Sequence, residues 1–310
     1  MLKSYDLNGN LIDKVQIAIN RLKNFEPPDG YFVAFSGGKD SQCIYHLCEM
    51  AGVKFDAHYS VTSVDPPPLV KFVRKQYPNV HFEIPHDENG KPITMWNLIP
   101  EKLMPPTRKS RYCCEILKES SGKGRVTVTG VRWAESTNRT TNQDLVNIQN
   151  GTKKAKEVAE KVEAKYRQSP RGGLLLNDDN DPSRRMVEHC YRTHKTLVNP
   201  IVDWSEEDVW EFLNDVAKVP HCHLYDEGYK RLGCIGCPLS YNAEFELNIN
   251  PAFKNAYLRA FGRLIEERIR RGLETTWDTP QDVMKWWLDR NKRDRELEGQ
   301  LSLFDMENEE

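Results

Sequence analysis

The chain has 310 residues, a formal net charge of −2 and 38% hydrophobic residues. This length allows one large α/β domain or a domain with an extension, and the near-neutral charge argues against a chain-wide polyanion-binding surface. Contact with nucleic acid would have to come from local basic patches. No apolar run reaches membrane-spanning length, and the first twenty residues lack the apolar core of a signal peptide. We therefore expect a cytoplasmic protein without membrane contact.

The first 130 residues show an alternation of helical and extended patterns. Residues 11–24 have the apolar spacing of an amphipathic helix, and 31–35 form a short apolar run typical of a buried strand. The remaining elements predicted in this part are helices at about 40–50 and 69–76 and strands at 53–61, 80–84 and 125–129. This alternation predicts an α/β fold with a doubly wound, mostly parallel sheet, whose ligand lies at the carboxyl ends of the strands.

The second half of the chain divides into three parts by composition. Residues 150–195 are basic and then rich in turn residues, so we interpret them as a partly mobile insertion or lid. At 199–213 an extended segment leads through Ser205, a predicted N-cap, into a helix. The predicted plan is one domain over 1–240, a helical extension over 241–298 and a flexible acidic tail over 299–310.

A glycine-rich loop, SGGKDS, joins the strand at 31–35 to the following helix. Backbone N–H groups at a helix N-terminus bind anions, and glycine lets a phosphate approach the backbone closely. The spacing is neither GxxxxGK[ST] nor GxGxxG, which excludes the two commonest glycine-loop classes. The simpler interpretation is a tight turn in which Ser36 or Asp40 caps the helix.

The hexapeptide resembles the SGGxDS signature of the PP-loop ATP pyrophosphatase superfamily, which includes the phosphoadenosine phosphosulfate (PAPS) reductase branch. This resemblance implies an adenine nucleotide alpha hydrolase-like, Rossmann-like fold and an ATP site with Mg²⁺. The residues implied to contact phosphate are Ser36, Gly37, Gly38, Lys39, Asp40 and Ser41. Lys39 and Asp40 are the implied catalytic residues of this loop, because charge accumulates there during phosphate transfer.

Three later segments strengthen the resemblance. TVTGVRWAESTNR at 127–139 is similar to the TGxRxxES element of the PAPS reductase branch. It implies nucleotide contacts from Thr129, Gly130 and Arg132 and a catalytic role for Arg132 and Arg139, whose guanidinium groups suit phosphate or sulfate. NPIVDWSEEDVWEFL and LYDEGYKRLGCIGC are similar to further segments of the same branch, so the resemblance covers roughly residues 30–240.

Eight cysteines are present, and four of them lie in two pairs, Cys113-Cys114 and Cys234-x-x-Cys237. Four thiolates from two segments suit a [4Fe–4S] cluster or, as the alternative, zinc. Members of the branch that reduce adenylyl sulfate or transfer sulfur to DNA pair a vicinal CC with a distal CxxC, which implies a [4Fe–4S] cluster here. We interpret Cys43 and Cys48 as buried small hydrophobes.

Two departures from the branch bear on the reaction. Sulfonucleotide reductases carry a catalytic cysteine near the C-terminus, whereas this sequence has none after Cys237, and only Cys190 or Cys222 remains for that step. The usual DTGxxxPE element is replaced by TSVDPPPLVKF. We therefore expect ATP-dependent adenylation with pyrophosphate release for sulfur transfer, with a donor such as a cysteine desulfurase and DNA as a candidate acceptor. The alternatives are a reductase with an external or displaced thiol and a non-catalytic nucleotide-binding regulator.

The segment QLSLF at 300–304 resembles the peptide by which bacterial DNA polymerases and repair proteins bind the sliding clamp. Its apolar anchors Leu301, Leu303 and Phe304, preceded by Gln300, suit insertion into a preformed groove. The alternative is a frayed helix end that packs on the surface of the chain itself. Binding to the clamp would favour DNA modification.

Overall fold

The computed structural model describes residues 1–5, 7–149, 153–170 and 172–289. The chain divides into two compact units, each made of segments that are separate in sequence. Unit 1 comprises 1–60, 67–83 and 120–232, and unit 2 comprises 61–66, 84–119 and the described residues from 233 onward.

The described residues contain ten strands and twelve α-helices, numbered in chain order. The strands are β1 (Lys3–Tyr5), β2 (Leu11–Asp13), β3 (Tyr31–Ala34), β4 (Phe55–Ser60), β5 (His81–Glu83), β6 (Val126–Val128), β7 (Val146–Ile148), β8 (Arg167–Gln168), β9 (Leu174–Leu176) and β10 (Thr196–Val198). The helices are α1 (Lys14–Asn24), α2 (Lys39–Ala51), α3 (Pro67–Gln76), α4 (Met95–Lys102), α5 (Tyr112–Leu117), α6 (Thr137–Asn142), α7 (Lys153–Lys161), α8 (Asp181–Cys190), α9 (Glu206–Glu211), α10 (Ala243–Ile249), α11 (Pro251–Arg270) and α12 (Pro280–Leu288).

Unit 1 is built on an eight-stranded sheet with the order β5-β4-β3-β6-β10-β7-β9-β8. The first five strands in this order are parallel to one another. The chain continues from β3 through helical crossovers to strands on both sides of it in the sheet. The sheet is therefore doubly wound, and the predicted fold class is confirmed. Its central strands β3 and β6 are buried on both faces, as the apolar runs predict.

The segment interpreted as a lid has a different structure in its described residues. Here β7, β9 and β8 pair antiparallel and extend the sheet beyond β10. The reason is the run Leu174-Leu175-Leu176, whose three side chains are buried in β9. The basic helix α7 keeps Ala155 and Ala159 buried while its charged residues face solvent. Charge composition obscured this short apolar strand in the sequence.

Unit 2 consists mainly of helices in its described residues. Its core joins α4, α5, α11 and α12 through buried side chains that include Leu98, Tyr257, Phe261 and Trp287. The indole N–H of Trp287 donates to the Pro106 carbonyl at 2.7 Å, so this large side chain is buried without an unpaired donor. Within the described ranges, no helix is long and apolar enough to cross a membrane.

The compact units differ from the domain plan expected from the sequence. The predicted boundary at 240 follows the family resemblance, whereas the units place the CxxC segment with the C-terminal helices and add residues 84–119 to them. The reason is tertiary packing: α11 packs chiefly against α4, which lies about 150 residues earlier in the chain. The predicted tail at 299–310, with the QLSLF segment, lies outside the described residues.

Asp208 connects α9 to α1 in unit 1. Its side chain is fully buried and accepts hydrogen bonds from Lys14 Nζ and from the Ser205 backbone N–H. Burial alone raises the pKa of Asp208, but the hydrogen bonds from Lys14 and Ser205 outweigh it and lower the pKa to about 2. The carboxylate therefore stabilises the folded state wherever it is ionised.

We expect Asp208→Asn to lower the free energy of unfolding by about 2 kcal/mol at pH 7, because the folded-state pKa lies well below the unfolded value. The difference from wild type should shrink as the pH falls from about 4 to about 2 and vanish below that, where both states are protonated. Urea denaturation at several pH values measures this. Asp215→Asn, an exposed change just after the same helix, is the control. Equal losses for the two variants would contradict the prediction.

Candidate functional site

The SGGKDS loop lies at the carboxyl end of β3 and leads into α2. Gly37 has a φ of +74°, and a Cβ at this position would lie 2.4 Å from Val73 Cγ2, so only glycine fits. Ser41 Oγ donates to the Gly38 carbonyl at 2.8 Å and lies 3.3 Å from Ser36 Oγ. The loop is thus tied to the first turn of α2, where the sequence predicts an anion site.

Lys39 is the first residue of α2, and its side chain is only 2% exposed. The ammonium donates to the Lys230 carbonyl at 2.9 Å and lies 5.4 Å from the ring centre of Tyr225. The backbone N–H of Lys39 donates to the Tyr225 hydroxyl at 2.9 Å. Tyr225 and Lys230 belong to the LYDEGYKRLGC segment, so the structure brings this segment to the glycine loop, a role that its sequence pattern did not show.

Arg132 joins the loop through a network of two cations and two carboxylates. Its side chain is 3% exposed, its Nε donates to Asp40 Oδ1 at 2.6 Å, and its Nη2 donates to Glu206 Oε2 at 2.8 Å. Glu206 Oε1 lies 3.3 Å from Lys39 Nζ, and Asp40 Oδ2 lies 3.8 Å from it. Burial lowers the pKa of Arg132, but the charge of Asp40 and the hydrogen bonds to both carboxylates raise it overall. The structure therefore brings together Lys39, Asp40 and Arg132, as predicted.

Gly130 and Thr129 position the strand end that carries Arg132. A Cβ on Gly130 would lie 2.8 Å from the backbone carbon and oxygen of Asp40, so the lack of a side chain lets the two backbones meet. Thr129 Oγ1 donates to the Asn199 side chain, which ties β6 to the end of β10. Because β3 and β6 are adjacent in the sheet, the loop after each strand reaches the same edge.

Arg139 lies in α6, next to the network residues in sequence. Among the contacts of the described residues, its Nε lies 3.6 Å from Glu135 Oε2, and Glu135 also pairs with Arg231 at 3.3 Å. Arg139 therefore belongs to a separate ion-pair group around Glu135. Conversely, sequence reasoning missed Glu206, because an acidic residue directly after the predicted N-cap Ser205 is typical of any helix N-terminus.

The four predicted cluster cysteines lie together in unit 2. Cys113 and Cys114 are in the first turn of α5, and Cys234 and Cys237 are in the turn that precedes α10. A hydrogen bond to Cys114, burial and the charges of Cys234 and Cys237 all raise the pKa of Cys113. The two halves of the set are therefore close enough to influence one another electrostatically.

The surroundings lower the pKa of the Cys114 thiol, whereas burial raises that of Cys237. The charge of Cys234 raises the pKa of Lys118. Hydrogen bonds from Cys113 and Arg111 lower the pKa of the Cys114 thiol. The Thr62 hydroxyl lies 3.5 Å from Cys234 Sγ. The turn itself is held by Glu246, which sequence reasoning missed and which accepts from the Gly236 N–H at 3.1 Å. Such donors are typical of thiolate metal sites.

The arrangement does not itself form a metal site. In the described part of the chain, no group of three or more histidine, cysteine, aspartate or glutamate side chains is arranged to hold a metal ion. The residues present nevertheless fit a thiolate-ligated group chemically, because four half-buried thiols and two cationic side chains share one place.

The other four cysteines are buried in unit 1. Cys43 and Cys48 are fully buried in α2, which confirms their interpretation as small hydrophobes. Cys190 and Cys222, the two remaining candidates for a thiol nucleophile, are 1% and 0% exposed. Burial raises the pKa of Cys190 to about 11 and also raises that of Cys222, so neither is activated as a thiolate.

Comparison with known proteins agrees with this fold and loop. Residues 30–240 match the phosphoadenosine phosphosulfate reductase domain, and the chain belongs to this family. The family expected from the SGGKDS loop and the TGVRWAES segment is therefore confirmed. The matched range contains the whole network around Lys39 and Arg132 and both cysteine pairs.

Individual relatives are more distant. An uncharacterized protein of Methanocaldococcus jannaschii is 27% identical over 259 residues, which is 77% of this chain and 50% of the relative. The adenosine 5′-phosphosulfate reductase of Allochromatium vinosum is 42% identical over 40 residues, or 13% of this chain and 15% of the relative. The chain thus spans half or less of the length of these curated relatives.

Among solved structures, the FMN adenylyltransferase of Candida glabrata, in complex with FMN and an ATP analogue, is 14% identical with a TM-score of 0.39. The similarity covers 76% of this chain and 72% of that one. A similarity of this size does not indicate a ligand for the present chain.

We expect Gly130→Ala to destabilise unit 1 by about 1–3 kcal/mol, because the new methyl group overlaps the Asp40 backbone, which is held in the first turn of α2. Gly233→Ala is the matched control, since a Cβ there meets nothing within 4 Å and its φ is not left-handed. Thermal and urea denaturation of both variants measure the effect. Equal stability of the two variants would show that the backbones of Gly130 and Asp40 are not in close contact.

Proposed function

We propose that this chain binds ATP with Mg²⁺ at the SGGKDS loop and uses it to adenylate an acceptor, with release of pyrophosphate, for sulfur transfer. The observation that carries this proposal is the pair of buried cations, Lys39 and Arg132, at the N-terminus of α2. Two fixed positive charges beside a helix N-terminus suit the pyrophosphate portion of a nucleotide. Membership of the PAPS reductase domain family supports a nucleotide ligand.

Each residue of the site has a role in this reaction. The backbone N–H groups of Gly38, Asp40 and Ser41 hold phosphate oxygens, while the side chains of Lys39 and Arg132 neutralise the charge that develops as pyrophosphate leaves. Tyr225 and Lys230 hold Lys39 in place. Asp40 orients Arg132 and offers the carboxylate oxygen that Mg²⁺ prefers. Thr129 and Gly130 hold the strand end from which Arg132 reaches the loop.

The proposed reaction has two displacements. An oxygen of the acceptor attacks the α-phosphorus, the bond to the pyrophosphate oxygen breaks, and pyrophosphate leaves with that electron pair. A sulfur nucleophile then displaces AMP from the adenylated acceptor. If a cysteine desulfurase supplies the sulfur as a persulfide, a thiol reductant provides the two electrons that release it.

Cys113, Cys114, Cys234 and Cys237 would hold a [4Fe–4S] cluster, or zinc as the alternative. A bound cluster would supply electron transfer or a place for sulfur during delivery. The chain contributes Arg111 and Lys118, whose positive charges stabilise the thiolates, and Glu246, which holds the CxxC turn. No step of the adenylation depends on this set.

A sulfonucleotide reductase is the second candidate, because several curated relatives are named adenosine 5′-phosphosulfate reductases. That reaction needs a thiol that attacks the sulfate sulfur. Both internal candidates, Cys190 and Cys222, are buried, and burial raises the pKa of each thiol. An external thiol would therefore have to act. A non-catalytic regulator would bind ATP and leave it intact.

DNA is the acceptor that we propose. The exposed lysines of α7 provide a local basic surface that suits phosphate contacts. The QLSLF segment at 300–304 remains a prediction of binding to the bacterial sliding clamp, and such binding would bring the chain to DNA.

The first test is pyrophosphate release from ATP with Mg²⁺ and DNA, measured against sulfite release from adenosine 5′-phosphosulfate and PAPS. We expect pyrophosphate release, and about a 100-fold loss of its rate in Arg132→Ala, because a buried charge at the leaving group is removed. Arg74→Ala, an exposed change in α3, should keep the wild-type rate. Sulfite release without pyrophosphate release supports the reductase, and ATP binding without turnover supports the regulator.

The second test is anaerobic purification followed by iron, sulfide and zinc analysis and a visible spectrum. We expect about four iron and four sulfide per chain. Cys237→Ser should lose them because one of four ligands is missing, whereas Cys190→Ala, a change outside the set, should retain them. One zinc per chain without sulfide would replace the cluster by the zinc alternative.

A further inference from the structure

Glu206 holds the two buried cations of the loop with its two oxygens. Oε1 lies 3.3 Å from Lys39 Nζ and Oε2 lies 2.8 Å from Arg132 Nη2. This bridging geometry is the one in which a phosphate group engages a lysine and an arginine. The Glu206 side chain itself is 48% exposed, whereas the two cations are almost fully buried.

The charge balance explains why a carboxylate is present there. Lys39 and Arg132 carry two positive charges, and a buried charge is costly unless it is paired. Asp40 supplies one negative charge and Glu206 the second, so the group is neutral without a ligand. A nucleotide phosphate could pair with both cations only by replacing Glu206 in the two contacts that it makes.

We propose that Glu206 is an internal carboxylate that occupies the position of a nucleotide phosphate and leaves the two cations when a phosphate binds. This inference rests on the proposed nucleotide site. Glu206 is the first residue of α9, so its side chain can turn to solvent without moving the helix backbone. Asp40, which hydrogen-bonds Arg132 Nε from the first turn of α2, stays as the permanent partner.

Competition by Glu206 lowers the affinity for every anion that must displace it. A carboxylate with a single charge is already attached to the chain, so an entering anion must offer more charge or more oxygens to replace it. Pyrophosphate and a nucleoside triphosphate satisfy this condition, whereas AMP, with one phosphate, satisfies it poorly. Each ligand that displaces Glu206 bears the same cost, so the carboxylate lowers the affinity for each of them by the same factor.

The test is calorimetric titration of pyrophosphate, ATP and AMP into wild type, Glu206→Gln and Glu207→Gln. Glu207 is the matched control, because it lies on the same helical turn, is exposed and hydrogen-bonds within its own helix terminus. If Glu206 pairs with the cations in about nine of ten molecules, only the remaining tenth can bind a phosphate. Removal of the carboxylate then raises the fraction of binding-competent molecules about tenfold. We expect Glu206→Gln to bind pyrophosphate about tenfold more tightly than wild type and AMP to gain the same factor. Glu207→Gln should match wild type.

Thermal unfolding gives an independent reading. Without ligand, Glu206→Gln should unfold at a lower temperature than Glu207→Gln, since its buried cations keep only one carboxylate, and pyrophosphate should restore more of its stability. Equal or weaker pyrophosphate binding by Glu206→Gln, with wild-type binding intact, would overturn this proposal and leave the nucleotide site standing. If wild type and both variants bind none of the three ligands, the proposed function falls together with the inference.

Discussion

The pairing of two buried cations with two carboxylates is the interaction on which the candidate site depends. Lys39 and Arg132 come from different strand–helix connections, and neither would remain buried and charged without Asp40 and Glu206. The parallel pairing of β3 and β6 brings the connections together. The absence of a side chain at Gly130 then lets the backbone reach Asp40. At this site the pairing of the strands and the pairing of the charges therefore depend on each other.

Unit 2 shows a similar dependence of chemistry on packing. The CC pair begins α5 and the CxxC turn precedes α10, more than a hundred residues apart in the chain. They meet because residues 84–119 fold with the C-terminal helices. The apolar core around Tyr257 and Trp287 supports both segments. The packing of this apolar core does not require four neighbouring cysteines. We therefore interpret the set of thiols as functional.

The two candidate reactions differ in what they demand of the chain. Adenylation uses fixed positive charge and backbone donors, which the loop after β3 supplies. Reduction of a sulfonucleotide demands an accessible thiolate, whereas Cys190 and Cys222 are buried in unit 1. Glu206 adds a further property, since a phosphate that pairs with both cations has to replace this carboxylate. The physical state of a few side chains thus discriminates between reactions that share one family.

The sequence by itself determined the family and the order of the first strands and helices. It also indicated Lys39, Asp40 and Arg132 as candidate site residues, because motif spacing and apolar periodicity are local properties. Only the tertiary structure decided that β9 extends the sheet, since its three leucines lie in a segment of charged and turn residues. It also decided that Arg139 pairs with Glu135 and that Glu206 bridges the buried cations. Partners of buried charges are chosen by long-range packing, which local sequence patterns do not contain.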